Sequence, residues 1–195
     1  MPHAYRPSVH HPRTGPRDPE LASDLCFIGT AFKSRIEFFE AMDLDGIDVL
    51  IGGNDWGSVS PVSPVAPYVG SGLGNPDCVD NAQTAELYRH AKMSLNLYRR
   101  ETEDGGSWQG WAMGPREVEL AATGLPFLRD PRGEGDEVLP MLPRFSGPGD
   151  ASEKLRYYLN RDNLREDLGR QARLAVQDRT FVNNARRLLT LLDSL

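Results

Sequence analysis

The chain has 195 residues, of which 28 are acidic and 22 basic, so its formal net charge is −6. This balance argues against a chain-wide basic surface for nucleic acid, although it allows a local basic cluster that holds a ligand's phosphates. No run approaches the roughly 18 apolar residues of a membrane span. The hydrophobic content of 39% is ordinary for one globular domain with a core of its own.

The cysteines and the N-terminus bear on the cellular compartment. Cys26 lies inside an apolar run, where a buried free thiol is expected, and the chain has only one other cysteine, Cys78. Residues 1–20 lack the apolar stretch of a signal peptide. We therefore expect a cytoplasmic protein without disulfides.

The first elements form a strand–helix–strand unit. Residues 1–23 hold five prolines and predict an extended lead-in, whereas the folded domain is expected over 24–195. The apolar run DLCFIGT (24–30) predicts a strand buried on both faces, and IDVLIGG (47–53) predicts a second one. Between them, KSRIEFFEAMD (33–43) has apolar side chains at helical spacing. This order is typical of a parallel α/β sheet.

Three or four further strands are predicted downstream. APYVG (66–70) and MSLNLYR (93–99) are short apolar runs, and Asp80, with a glutamine three residues on, begins a helix between them. In GPREVELAATGLPFLRD (114–130) a short helix precedes the strand LPFLRD. VLPMLPRFS (138–146) predicts a last strand at an edge, because it contains two prolines. The sheet is therefore expected to have five or six mostly parallel strands.

The C-terminal part is predicted to be helical. Asp150 and Glu153 have capping-box spacing and indicate the start of one helix. Two later helices are indicated by apolar side chains that repeat on one face. These are Leu164, Leu168, Ala172 and Ala175 for the first, and Val182, Ala185, Leu188, Leu189 and Leu192 for the second. The fold class is therefore α/β with a helical C-terminus.

Candidate site residues follow from the rule that ligands of open parallel sheets bind outside the carboxyl ends of the strands. Gly29 and Asp130 lie at the carboxyl ends of predicted strands. The helix that starts near Gly114 would point its free N–H groups at the same place, which suits a phosphate, and Arg116 would add a charged donor. Glu119 could accept hydrogen bonds from paired sugar hydroxyls. The alternative is that a glutamate near a helix start is simply favourable to the helix dipole.

Other motifs are weaker. Lys33 and Arg35 could hold a diphosphate beside the first strand, or they are solvated charges at a helix start. The segment IGTAFKSR matches neither dinucleotide nor P-loop patterns. Asp43 and Asp45 resemble a metal-binding pair but end a helix, where a turn explains them better. We predict no metal site, and the sequence assigns no catalytic residue.

Taken together, these segments resemble a known family. GPREVELAATGLPFLRD is similar to the E-A-x-A-x-G-x-P segment in the C-terminal half of GT-B glycosyltransferases, in particular the group 1 type of CgeB-like spore maturation proteins. The flanking segments DLCFIGTAFKSRIEFF, TAELYRHAKMSLNLYR and NRDNLREDLGRQARLAVQDRTFVNNARRLLTLL resemble that family's first strand and loop, its next helix and strand, and its closing helices. The resemblance covers about residues 24–192 and implies a single Rossmann-like domain, one half of a GT-B fold.

The resemblance implies that a nucleotide-diphosphate sugar binds as donor substrate, with no further cofactor. Glu119 matches the glutamate that holds the ribose, and Arg35 and Lys33 lie where such enzymes contact the diphosphate. Many related retaining enzymes carry a second glutamate eight residues earlier. Here that position is Trp111, so the resemblance assigns no residue to the contact with the transferred sugar.

The resemblance also implies a partner. GT-B enzymes have two Rossmann-like domains, and residues 1–23 resemble the linker between them. An acceptor-binding domain of the N-terminal type is therefore expected from another polypeptide, or the chain forms a homodimer. The alternative functions are a nucleotide-binding module without catalysis and a protein-interaction module that kept only the scaffold.

Overall fold

The computed structural model describes residues 1–73, 79–101 and 110–194. Within these ranges the strands are β1 (Ser23–Ile28), β2 (Val49–Gly52), β3 (Ala91–Asn96) and β4 (Phe127–Arg129). The helices are α1 (Lys33–Glu40), α2 (Asn81–His90), α3 (Pro115–Thr123), α4 (Gly133–Val138), α5 (Pro148–Leu159), α6 (Asp162–Val176) and α7 (Phe181–Leu192).

The four strands form one parallel sheet in the order β2-β1-β3-β4. Alternate residues of each strand belong to different cores, as expected when helices cover both faces. Cys26 and Phe127 pack with α2, α3 and α6 on one face, and Leu25 and Leu128 pack with α1 and α5 on the other. The predicted α/β class with a parallel, Rossmann-like sheet is therefore confirmed.

The prediction of five or six strands is wrong for the described residues, where two predicted strands are reduced to isolated bridges. In APYVG, residues Ala66–Tyr68 form a 3₁₀ turn, and only Val69 pairs with β2. In VLPMLPRFS, the first residue ends α4, and only Arg144 pairs with β4. Prolines in both segments remove the backbone N–H groups that a longer ladder needs.

The helix starts are predicted better than the faces of the last two helices. The Asp80 carboxylate accepts from the backbone N–H groups at the start of α2, as predicted. The helix α5 starts earlier than predicted, after Gly147, and Asp150 lies in its first turn, where its carboxylate accepts from Ser146 N. On α6 Leu168 and Ala172 are buried as expected, whereas Ala175 is exposed.

The helix α7 has an apolar face that nothing in the described chain covers. Its predicted apolar positions are exposed, namely Val182, Ala185, Leu188, Leu189 and Leu192. The lead-in segment lies against the start of this helix, since Tyr5 N donates to Arg179 O at 2.9 Å and Asn184 donates to Pro2 O. The division into a linker and a domain stays a prediction. Among helices of the described ranges, none combines the length and apolar composition that a bilayer crossing needs.

Candidate functional site

The carboxyl ends of the four parallel strands meet at one edge of the sheet, which we call the carboxyl edge. Gly29 follows β1 there, and Asp130 follows β4. The start of α3 reaches the same edge, because Gly114 N donates to the hydroxyl oxygen of Tyr98, two residues after β3, at 2.9 Å. Gly29, Gly114 and Asp130 thus lie at the same edge of the sheet, as expected from the strand order, while their role in ligand binding stays a prediction.

Gly29 lies at this edge but its backbone is already engaged. Its N–H donates to Gly52 O at 2.9 Å, and its carbonyl accepts from Trp56 Nε1 at 2.6 Å. Gly53 has a φ of 118°, and a Cβ built there would lie 2.4 Å from the Gly29 carbonyl oxygen. The junctions after β1 and β2 are therefore packed backbone against backbone, and Gly29 shapes the edge without offering a free N–H.

Lys33 and Arg35 are two residues apart in the first turn of α1 but have different surroundings. Arg35 donates to the carbonyl of Leu97 at 2.6 and 3.2 Å and to that of Thr30 at 3.0 Å. Burial lowers the pKa of its guanidinium to about 10. The Lys33 side chain is 81% exposed and its ammonium lies 3.6 Å from Glu37. Arg35 thus ties the end of β1 to the end of β3, and only Lys33 projects into solvent.

The start of α3 is occupied by the protein's own carboxylate. Gly114 N donates to Glu117 Oε2 at 2.9 Å, and the Tyr98 hydroxyl also donates to this oxygen. The next residue, Pro115, has no N–H. Two of the four N–H groups at the helix start are therefore unavailable to a ligand.

Glu117 is fully buried and was missed by sequence reasoning. Burial raises the pKa of its carboxyl group above the usual value, although the bonds from Tyr98 and Gly114 oppose this shift. Its other oxygen, Oε1, has no hydrogen-bond partner among the described residues. The available signal was its position three residues after the N-cap, where a glutamate often bonds back to the cap.

Arg116 and Glu119 form a pair on α3. Arg116 Nη1 lies 3.0 Å from Glu119 Oε2, and the guanidinium lies 5.7 Å from the ring centre of Tyr88. The Tyr88 hydroxyl in turn donates to the Ile28 carbonyl, the last of β1. On its other side Glu119 Oε1 is 4.0 Å from His10 Nε2 of the lead-in segment. The glutamate is thus oriented by an arginine, and its side chain is still 14% exposed.

Asp130 belongs to a group of charges at the end of β3 and β4. It is buried and accepts from Tyr98 N at 3.2 Å and, with both oxygens, from Arg100 at 2.8 Å. Burial raises the pKa of its carboxyl group, and the charge of Arg100 opposes the shift. Arg132 lies over the Tyr98 ring, 4.0 Å from its centre. Asp130 therefore fixes Arg100 at this edge, a pairing that the sequence analysis did not predict.

Trp111, which stands where related retaining enzymes carry a glutamate, is 59% exposed. A Cβ built on Gly133 would overlap its indole ring, so the ring lies directly over the start of α4. In the part of the chain that the structure describes, no three His, Cys, Asp or Glu side chains are grouped so that they could hold a metal ion. The absence of a metal requirement stays a prediction.

The fold resembles part of solved GT-B glycosyltransferases. Sucrose-phosphate synthase from Thermosynechococcus elongatus superposes with a TM-score of 0.70 at 15% identity, over 99% of this chain and 51% of that one. A glycosyltransferase from Rickettsia africae gives 0.65 at 13% identity, over 97% and 55%. The C-terminal domain of a group 1 glycosyl transferase from Francisella tularensis gives 0.59 at 13% identity, over 89% and 96%. The chain therefore has the fold of one half of a GT-B enzyme.

Residues 35–193 match the family model described as glycosyl transferase-like, and the chain belongs to that family. A search of curated proteins finds no match. The chain spans about half the length of the first two enzymes and nearly the whole of the isolated C-terminal domain. The CgeB-like assignment within the group 1 enzymes stays a prediction.

Proposed function

We propose that this chain binds a nucleotide-diphosphate sugar at the carboxyl edge and acts as the donor-binding domain of a glycosyltransferase. The main support for this proposal is the Arg116–Glu119 ion pair, which lies near the end of β1 in a chain of the glycosyl transferase-like family. An ionised carboxylate is an acceptor with two oxygens, which suits the two adjacent hydroxyls of a ribose. The salt bridge to Arg116 would hold Glu119 in place for that contact.

The proposed chemistry is glycosyl transfer by positioning and charge stabilisation. The bond between the sugar's anomeric carbon and the diphosphate oxygen breaks, and the diphosphate leaves with the electron pair. An acceptor hydroxyl oxygen forms the new bond, and its proton passes to a basic group of the acceptor-binding domain or to the leaving diphosphate. Lys33 and Arg116 are the proposed contacts to the leaving diphosphate, since Arg35 is bound to backbone carbonyls. No resident cofactor or metal takes part in this proposal.

The acceptor and the remaining catalytic groups would come from a second Rossmann-like domain. We place this activity in the cytoplasm. The alternative is a nucleotide-binding module without catalysis, or an interaction module derived from it. Two observations favour the alternative, namely the occupied N–H of Gly114 and the indole of Trp111 in place of a glutamate.

The test of donor binding is calorimetric titration of the purified chain with a panel of nucleotide-diphosphate sugars and the matching nucleotides. We expect one base to be preferred. Glu119→Gln should weaken the binding of that ligand by about 10- to 100-fold, because charge-assisted hydrogen bonds are lost. Glu153→Gln makes the same chemical change on the exposed side of α5 and should leave affinity unchanged. Equal affinities for all three proteins would refute the placement of the site.

Catalysis is tested separately from binding. The chain that binds a donor is incubated with it, alone and with candidate acceptor domains, and release of the nucleoside diphosphate is followed. Release that depends on a second domain supports the glycosyltransferase. Tight donor binding with no release under any combination supports the binding module.

A further inference from the structure

A cavity of about 480 Å³ lies on the other edge of the sheet from the candidate donor site. Its wall includes Ala91 and Lys92, the first residues of β3, and Leu125 and Pro126, which directly precede β4. Since the strands are parallel, their amino ends are a strand length away from the carboxyl edge. We call this space the amino-edge cavity.

The amino-edge cavity is lined mainly by positive charge. Seven of the 22 basic side chains of the protein contribute to its wall, against two acidic ones, Asp162 and Glu166. This is the reverse of the whole chain, whose net charge is −6. A concave surface with charges of one sign raises the local concentration of oppositely charged ligands.

Neighbouring carboxylates neutralise only part of this charge. Four of the basic side chains form ion pairs with one neighbour each: Arg89 with Glu86, Lys92 with Asp24, Arg165 with Asp162, and Arg170 with Asp167. The other three, Arg13, Arg17 and Arg173, lie within 4 Å of no carboxylate of the described chain. Two of these three come from the lead-in segment, so the segment brings charge to the cavity.

Arg17 shows that the charges in this wall are not fully compensated. Its Nη2 donates to Ala91 O at 3.2 Å, whereas its Nε is buried with no hydrogen-bond partner in the ranges described. Burial lowers the pKa of its guanidinium, and the like charges of Arg13 and Arg165 lower it further. A buried donor without a partner and a cluster of like charges are both unfavourable, and a bound anion would relieve both.

We propose that the amino-edge cavity binds a small anion that carries two or more phosphate groups. Its volume is within the range of small-molecule sites, about 300–1,000 Å³. Arginine forks bind phosphate oxygens in pairs, and three of the seven basic groups have no carboxylate of the described chain within 4 Å. This ligand would be a second one, bound apart from the donor.

The test is titration of the full chain with inorganic tripolyphosphate, followed by calorimetry and by thermal unfolding. We expect binding that weakens with salt and a rise in Tm. The double variant Arg13→Gln/Arg173→Gln removes two exposed guanidinium groups of the wall and should weaken binding by at least about tenfold. In the absence of anion the same variant should be as stable as the parent chain or more stable, because like charges are removed.

The matched control is Arg144→Gln/Arg187→Gln, which makes the same change of net charge at exposed positions outside the cavity. Unchanged affinity in the control and a loss in the cavity variant support the proposal. An equal loss in both variants, or no binding by the parent chain, would overturn it. Tighter binding of a single-stranded oligonucleotide than of tripolyphosphate, lost in the cavity variant, would overturn it in favour of a nucleic-acid site.

Two variants, each tested with both ligands, distinguish the amino-edge cavity from the donor site. Glu119→Gln should leave tripolyphosphate binding unchanged, and the Arg13/Arg173 variant should leave the base preference of nucleotide binding unchanged. Loss of tripolyphosphate binding in Glu119→Gln would assign the anion to the carboxyl edge and overturn the second site. Failure of nucleotide binding alone affects only the proposed donor function.

Discussion

The contact between α3 and α6 depends on a glycine whose replacement should be harmful even though it lies in a helix. Gly169 is buried in α6, and a Cβ built on it would lie 2.0 Å from the carbonyl oxygen of Gly124. Gly124 ends α3 with a φ of 74°, so its carbonyl is held by the turn that follows the helix. Because the obstructing atom is this backbone oxygen, no change of side-chain rotamer can relieve the overlap.

The magnitude follows from two opposing effects. Alanine is favoured over glycine inside a helix by about 1 kcal/mol. Ordinary van der Waals contact begins at 3.4 Å, so α6 would have to move away from the Gly124 carbonyl by about 1.4 Å. A gap of that size removes much of the dispersion energy of the buried side chains at the interface, which include Leu168 and Ala172. Overpacking of this kind costs about 3 kcal/mol. We expect a net loss of about 2 kcal/mol in the free energy of unfolding and a Tm lower by about 4–8 °C.

The assay is equilibrium unfolding of Gly169→Ala in urea, with Gly149→Ala as control. Gly149 is also helical, in α5, but a Cβ there would meet nothing within 4 Å, so this variant should be as stable as the parent chain or slightly more stable. If Gly169→Ala proved as stable as Gly149→Ala, the close approach of α6 to the turn after α3 would be wrong.

Three further results are expected. Arg35→Lys should lower the free energy of unfolding by about 2 kcal/mol, because lysine cannot bridge the same carbonyls, while Lys33→Gln should leave it unchanged in the same urea titration. Leu189→Glu should change stability by less than about 0.5 kcal/mol, since this α7 side chain is 60% exposed, and a larger loss that varies with protein concentration would indicate a homodimer through this face. Burial raises the pKa of Glu117, so its contribution to stability is present at low pH and is lost as pH rises above the unfolded value of 4.5. Glu117→Gln, which keeps an acceptor oxygen, should therefore gain stability relative to the parent chain between pH 4 and pH 7, and a difference independent of pH would contradict the raised pKa.

Elements with strong local signals were predictable from the sequence. The buried strands β1 and β2 are continuous apolar runs, and Asp80 caps α2 as its spacing indicated. The two segments that were wrongly predicted to be strands also contain apolar residues, but their prolines limit pairing to single bridges at Val69 and Arg144. The periodicity of α7 predicted an amphipathic helix correctly, yet periodicity alone cannot say whether anything covers the apolar face.

The places of the candidate site residues in the fold were predictable, but their contacts were not. Strand order placed Gly114 and Asp130 at one edge, because parallel strands share their carboxyl ends. The partners of the site residues come from distant segments: Arg35 bonds to Leu97, and Glu119 lies near His10. Local spacing carries no information about such contacts between distant segments. The burial of Glu117 at the start of α3 depends on one of this kind, the contact with Tyr98.

The start of α3 connects the two candidate functions. A helix N-terminus binds an anion through its free N–H groups, but here the N–H of Gly114 is bonded to Glu117 and Pro115 has none. A donor diphosphate at this edge must therefore rely on side-chain cations such as Lys33 and Arg116, or displace Glu117. Displacement would be easiest when Glu117 is protonated, which its burial already favours. A donor-binding domain that works in this way would bind its ligand more tightly as pH falls, whereas a module that has lost the site would leave Glu117 bonded to Gly114 in every condition.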